Sequence, residues 1–168
     1  SAINCLASFK FIFSIKVFSS FKSLNIPGVS VSKISFSAFR AADISPAGSM
    51  EKLRKKYPDR FVNTGVAEQS MIGISAGLAM RGMKPFAYTI ATFALYRPFE
   101  MIRDDICYQN LPVTIVGMGA GTIYSTLGGT HLTQEDVSIA RSIPNMTVLA
   151  PSDLYEMKSC IKYLSKFS

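Results

Sequence analysis

The chain has no tryptophan, a single histidine and no acidic residue before Asp43. It is also short of cysteine: Cys5, Cys107 and Cys160 are odd in number and far apart, with no CxxC pair and no Cys/His ligand spacing. Neither a disulfide framework nor a zinc site is indicated, and a reducing, cytoplasmic compartment is the better fit. No apolar run reaches the length of a membrane span, because Lys10, Lys16 and Lys22 interrupt the leading segment. A nucleic-acid partner is not indicated either. Of the eighteen basic residues, Lys10, Lys16, Lys22, Lys33 and Arg40 stand in the acid-free leader, and the remaining thirteen face eleven acidic ones. The basic balance therefore belongs to the leader, and no basic stripe or aromatic-basic motif accompanies it.

What is present suits a globular protein. Its 168 residues suffice for one domain, or a domain and a tail, with a real core. Apolar content of 48% with 17% charge points to heavy burial or obligate assembly. Residues 1–40 differ in kind from 41–168. Phe9, Phe11, Phe13, Ile15 and Val17 alternate with polar residues at strand period, Pro27-Gly28 signals a turn, and Val29-Ser30-Val31-Ser32 alternates again. The leader reads as a hairpin, as an organelle transit segment rich in serine and lysine, or as a stretch that is not native coding sequence; no function is assigned to it.

From Ile44 onward strands and helices alternate. Helices are expected over 49–56, 67–80, 98–109 and 134–143, with a last one capped by Ser152-Asp153 and lined inward by Leu154, Met157, Ile161 and Leu164. Strands are expected over 61–63, 86–91, 112–117 and 145–150, with an aromatic loop over 92–96 and a glycine-rich loop over 118–133. This rhythm means a parallel α/β sheet flanked by helices and joined by right-handed crossovers. Gly73 and Gly77 lie four apart in one helix, where glycine costs about 1 kcal/mol, so another backbone is expected close to that face. That backbone belongs to a neighbouring helix or to a second subunit.

In such sheets ligands gather at the carboxyl ends of strands, where three unusual stretches converge: 65–68, 92–96 and 119–131. Glu68 opens a helix that continues almost like a core helix. The helix dipole favours its ionised form and burial its protonated form, which marks it for proton chemistry; the plainer reading is a helix-starting carboxylate. Phe93 and Tyr96 present ring faces to a planar ligand or are core aromatics. His131, after Gly128-Gly129-Thr130, is a ligand-facing or a structural histidine. The run Gly117-Met118-Gly119-Ala120-Gly121 lacks the third glycine and the helix start of a dinucleotide site.

Arg60-Phe61-Val62-Asn63-Thr64-Gly65-Val66-Ala67-Glu68-Gln69-Ser70-Met71, followed by Gly77-Leu78-Ala79, resembles the central motif of the transketolase-like, thiamine-diphosphate-dependent enzymes. The likeness runs on through Thr89 to Tyr96, Leu111-Pro112-Val113, Gly128-Gly129-Thr130-His131, Glu135-Asp136, Arg141, Pro144-Asn145-Met146 and Pro151-Ser152-Asp153. It is most similar to the pyrimidine-binding domain, and to the smaller chain of split, two-polypeptide transketolases.

The resemblance implies that Glu68 hydrogen-bonds a ring nitrogen of the aminopyrimidine of thiamine diphosphate and so controls where a proton sits. It implies that Phe93 and Tyr96 pack on that ring, with Ile90 where many members carry another aromatic. It implies that His131 lines the substrate channel, where it binds sugar hydroxyls or moves protons. The reaction implied is transfer of a two-carbon ketol unit between sugar phosphates; a deoxyxylulose-phosphate synthase and the β subunit of a 2-oxoacid dehydrogenase share the glutamate motif. A non-catalytic fragment serving only in subunit contacts is the reading from another class. The family's Gly-Asp-Gly and distant Asn, which hold diphosphate and magnesium, are not in this sequence, and the pattern's last pyrimidine-domain strand is expected beyond Ser168. A diphosphate-binding subunit or domain is therefore the expected partner in a homo- or hetero-oligomer. In the unassembled chain the Glu68 site is expected to stand open to water.

Overall fold

The computed structural model of the protein describes residues 12–14, 39–41 and 51–166. The turn expected at Pro27-Gly28, the alternation over 29–32 and Cys5 lie outside the described residues. Six strands make one sheet: β1 (Ile12–Ser14), β2 (Phe39–Ala41), β3 (Phe61–Asn63), β4 (Phe86–Ile90), β5 (Thr114–Met118) and β6 (Thr147–Leu149). Their order is β3-β2-β4-β5-β1-β6. The run β3, β2, β4, β5 is parallel, as alternating strands and helices require.

β1 departs from the expected pattern. It lies antiparallel between β5 and β6, with Phe13 opposite both Ile115 and Val148. A strand drawn from outside the β–helix alternation needs no crossover helix, so its direction is not constrained to match its neighbours. Both of its edges are taken, one by β5 and the other by β6. β2 straddles the compositional boundary at residue 40 and sits between β3 and β4.

The register of β4 on β5 sorts side chains between two faces. Ala87 faces Ile115 across the ladder and Tyr88 faces Val116. Successive residues point to opposite sides of a strand, so the two pairs enter different cores. Ala87 and Ile115 pack with Met71, Ile72 and Ala76 of α2 (Glu68–Met80), with Leu95 of α3 (Ala91–Leu95), and with Ile102 and Ile106. Those last two belong to a π-helical stretch, Ile102–Tyr108, that continues α4 (Phe99–Met101). On the other face Tyr88 and Val116 meet Phe61, Phe86, Met118, and Met157 and Leu164 of the final helix. Two shorter helices are α1 (Glu51–Lys56), before β3, and α5 (Asp136–Arg141), before β6. None of the described helices is long and apolar enough to cross a membrane.

Among the described residues, the backbone expected close to Gly73 and Gly77 of α2 is not found. A methyl built on Gly73 or Gly77 meets nothing within 4 Å. That side of α2 is open, and Ile74 and Met80 on the same helix are exposed.

Candidate functional site

The site forms where β3 and β4 end. Beyond β3, the Asn63 side-chain oxygen accepts the Gly65 N–H at 2.8 Å. Gly65 adopts φ +69°, a left-handed conformation that glycine reaches without steric cost and that turns the chain into α2. Ala67 precedes the helix and offers no side-chain cap. Glu68 is the first helical residue and only 5% exposed. Its Oε2 accepts a hydrogen bond from Arg97 Nη1 at 3.2 Å, an ion pair across 29 residues of sequence. The expectation that Glu68 stands open to water is thus corrected. Met71 and Ile72 draw the first turn of α2 into the core, and Arg97 closes over the carboxylate.

Beyond β4 the aromatic run does not form the expected loop. Ala91, Ala94 and Leu95 are buried, and the run winds into α3, which packs on β5. This helical turn puts Phe93 and Arg97 one above the other, and the guanidinium carbon lies 4.4 Å from the centre of the Phe93 ring. Tyr96 turns its hydroxyl to Glu135 and donates to Oε2 at 2.9 Å. Burial, then that bond and the Glu135 charge, push the Tyr96 phenol up to about 12. The same bond holds Glu135 below its ordinary value. The adjacent Asp136 is 3% exposed, and burial raises its carboxyl.

His131 ends the short helical turn Gly129–His131, which Gly128 enters at φ +85°. The imidazole meets Phe93 edge to face, with ring centres 5.1 Å apart, and Tyr124 at 6.5 Å. Thr130 Oγ1 lies 2.9 Å from His131 Nδ1. An open cleft of about 540 Å³ runs past these groups, lined in part by Phe93, Tyr96, Arg97, Thr130, Gln134 and Glu135. Of the residues singled out from sequence, Phe93 and Tyr96 line the cleft directly. Glu68 lies behind Arg97, and His131 against Phe93. Ile90, at the end of β4, is buried and outside the lining.

Arg97 was not among the residues expected from sequence. Its signal was the spacing Phe93 to Arg97, four residues, which stacks side chains once the run is helical. Glu135 entered only as part of a resemblance block, without a role.

A buried carboxylate acceptor beside a ring face suits a planar group that carries N–H donors. The guanidinium of Arg97 is itself planar and rich in N–H donors, and it is held by one ring face and one buried carboxylate. The same two groups would hold an aminopyrimidine. No three His, Cys, Asp or Glu side chains among the described residues come together so as to hold a metal ion.

Comparison with known proteins bears on what this arrangement is. Residues 39–166 match the family described as "Transketolase, pyrimidine binding domain". The chain is 42% identical over 126 residues to the putative transketolase C-terminal section of Methanocaldococcus jannaschii, covering 75% of this chain and 40% of that one. It is 35% identical over 122 residues to one of the subunits of the apulose-4-phosphate transketolase of Actinobacillus succinogenes, covering 73% and 39%. Against 1-deoxy-D-xylulose-5-phosphate synthase of Clostridium perfringens the figures are 39% identity over 119 residues, 71% and 19%. Among solved structures it superposes on a split-gene transketolase, an inactive β4 tetramer, with TM-score 0.64 and 36% identity over 77% of this chain and 42% of that one. The chain spans about two fifths of the length of the transketolase sections and subunits that it matches. The family match extends over residues 39–166, well over half of the 168-residue chain, and the chain belongs to the transketolase pyrimidine-binding family.

Proposed function

We propose that this chain is the pyrimidine-binding part of a thiamine-diphosphate-dependent transketolase-type transferase acting on sugar phosphates. The observation that carries the reading is a buried carboxylate and an aromatic face engaging one planar group, at the ends of two parallel strands. Glu68 would hold a proton at a pyrimidine ring nitrogen, and the low exposure of its carboxyl would keep water from competing for that bond. Phe93 would support the ring from one side, with Tyr96 fixed beside it through Glu135. Ile90, buried at the end of β4, would add to that wall without stacking. His131, close to Phe93, would bind a sugar hydroxyl or relay a proton. When bound, thiamine diphosphate supplies the electron sink of the reaction.

The diphosphate and magnesium ligands would come from a partner chain or domain, in a homo- or hetero-oligomer. The open face of α2 supports a partner of this kind: flat at Gly73 and Gly77 and apolar at Ile74 and Met80, it suits close backbone approach. The similarity to a deoxyxylulose-phosphate synthase keeps a second ketol-transfer chemistry in view. The Thr130-His131 and Pro144-Asn145-Met146 blocks favour the transketolase side. The test is reconstitution of the full chain with a diphosphate-binding transketolase chain, magnesium and cofactor, assayed with ketose-phosphate donors and aldose-phosphate acceptors. Two-carbon transfer that needs both chains is expected. A folded complex that takes pyruvate in place of a ketose donor would favour the synthase reading. A folded chain with no activity in any pairing would favour a fragment limited to subunit contacts.

A further inference from the structure

Arg97 joins two groups that the proposed cofactor site needs. Its guanidinium lies 4.4 Å from the centre of the Phe93 ring, and one of its N–H groups reaches the Glu68 carboxylate at 3.2 Å. The two contacts differ in chemistry, a π face and an acceptor, and a single planar cation satisfies both. The burial is uneven. Glu68 is 5% exposed and the Arg97 side chain 51%, so the acid is fixed and the base is able to leave. Both contacts, an ion pair with a half-exposed cation and a ring–cation contact, are of low energy. These are energies that a ligand ring could overcome.

Resting on the proposed function above, we propose that Arg97 is a place-holder for the aminopyrimidine. In the unassembled chain it covers the Phe93 face and neutralises the buried Glu68, and the cofactor enters by displacing it. Two consequences follow. An unpaired buried carboxylate would be costly, so Arg97 keeps the empty site folded and dry. The same contacts tax premature binding, because a ligand's apparent affinity is reduced by the fraction of chains in which the site is closed. Arg97 is thus a positioning residue, acting through Glu68 and Phe93. Its backbone carbonyl, 3.5 Å from Gln69 Nε2, stays near the start of α2 while the side chain moves.

The test titrates the full chain with thiamine diphosphate and magnesium and follows backbone amide shifts, a readout of binding without turnover. Wild type is compared with Arg97→Gln, Arg97→Ala, Glu68→Ala and Phe93→Ala, after circular dichroism confirms that each is folded. Arg97→Gln keeps a hydrogen-bonding group beside Glu68 and guards against loss of fold in Arg97→Ala. The place-holder predicts that at least one Arg97 variant binds about threefold to tenfold tighter than wild type, while Glu68→Ala and Phe93→Ala bind more weakly. In wild type, the Arg97 side-chain N–H resonance should also lose its ring-current shift on saturation. Arg97 variants that bind equally or more weakly overturn the proposal. If Glu68→Ala and Phe93→Ala still weaken binding in that case, the cofactor site stands and only the Arg97 role falls. If no Arg97 variant gains response over wild type, the Arg97 role falls; if Glu68→Ala and Phe93→Ala bind as tightly as wild type, the cofactor site falls with it.

Discussion

At the scale of single residues, the site is an exercise in how burial changes a polar group. Glu68 is the clearest case, since a first-turn glutamate on an exposed helix would need no partner and this one has a guanidinium 29 residues away. Cys107 shows the same physics without the function. It is 1% exposed, and burial pushes its thiol up to about 12 from an ordinary 9.0. Two outcomes are expected. Iodoacetamide at pH 8 should leave Cys107 unmodified in the native chain and label it on unfolding, as read by mass spectrometry. The sign of its pH effect also follows. A thiol whose folded value is raised keeps the folded chain more protonated than the unfolded one between about 9 and 12, so its stabilising contribution is complete below that window and lost as pH rises through it. Denaturant titrations of Cys107→Ala should therefore show a shallower loss of stability than wild type across that window.

Among the elements, α3 and the glycine-rich segment show why sequence reading reached the neighbourhood of the site but not its shape. The Glu68 turn, the two aromatics and His131 were legible because glycine, charge and ring carry strong local signals. The helical winding of Ala91–Leu95 was not, since a run of alanine, threonine and phenylalanine after a strand is ambiguous until β5 supplies a surface. Arg97 was invisible for the same reason: its partners appear only when the run is helical. The segment over 118–133, expected as a loop, holds a paired bridge between Gly121 and Thr133 and two short helical turns, Ser125–Leu127 and Gly129–His131. Gly119 sets its entry. It takes φ +69°, and a methyl added there would overlap the Tyr124 ring, which in turn lies against His131. Gly119→Ala should cost about 1–3 kcal/mol in a urea titration and shift the His131 ring resonances. In the first core, Ile102→Ala should cost about 2–5 kcal/mol, because the residue is fully buried between α2, α3 and the sheet.

At the scale of the whole molecule, the proposed function makes the chain one side of an assembly. The α/β rhythm made β3, β4, β5 and β6 predictable, while β2, which straddles the boundary drawn at residue 40 and pairs with both β3 and β4, was not expected. Two further features lay beyond local pattern. β1 joins the sheet from a segment whose alternation suggested a hairpin, because a three-residue antiparallel pairing depends on a slot between β5 and β6 that no window of sequence displays. The open face of α2 is the other. Its two glycines announced a close backbone, and none of the described residues provides one. Ile74→Asp should leave the circular dichroism spectrum and urea midpoint nearly unchanged, since the side chain is exposed, while light scattering shows loss of assembly with the partner.

The central claim is that Glu68 places the proton on which the reaction depends. The measurement that reaches it most directly is the ketol-transfer rate of the reconstituted assembly, with cofactor and magnesium saturating, for wild type against Glu68→Ala. A fall of about 10²–10⁴-fold with assembly intact is the result predicted. Equal rates from the two chains would contradict it.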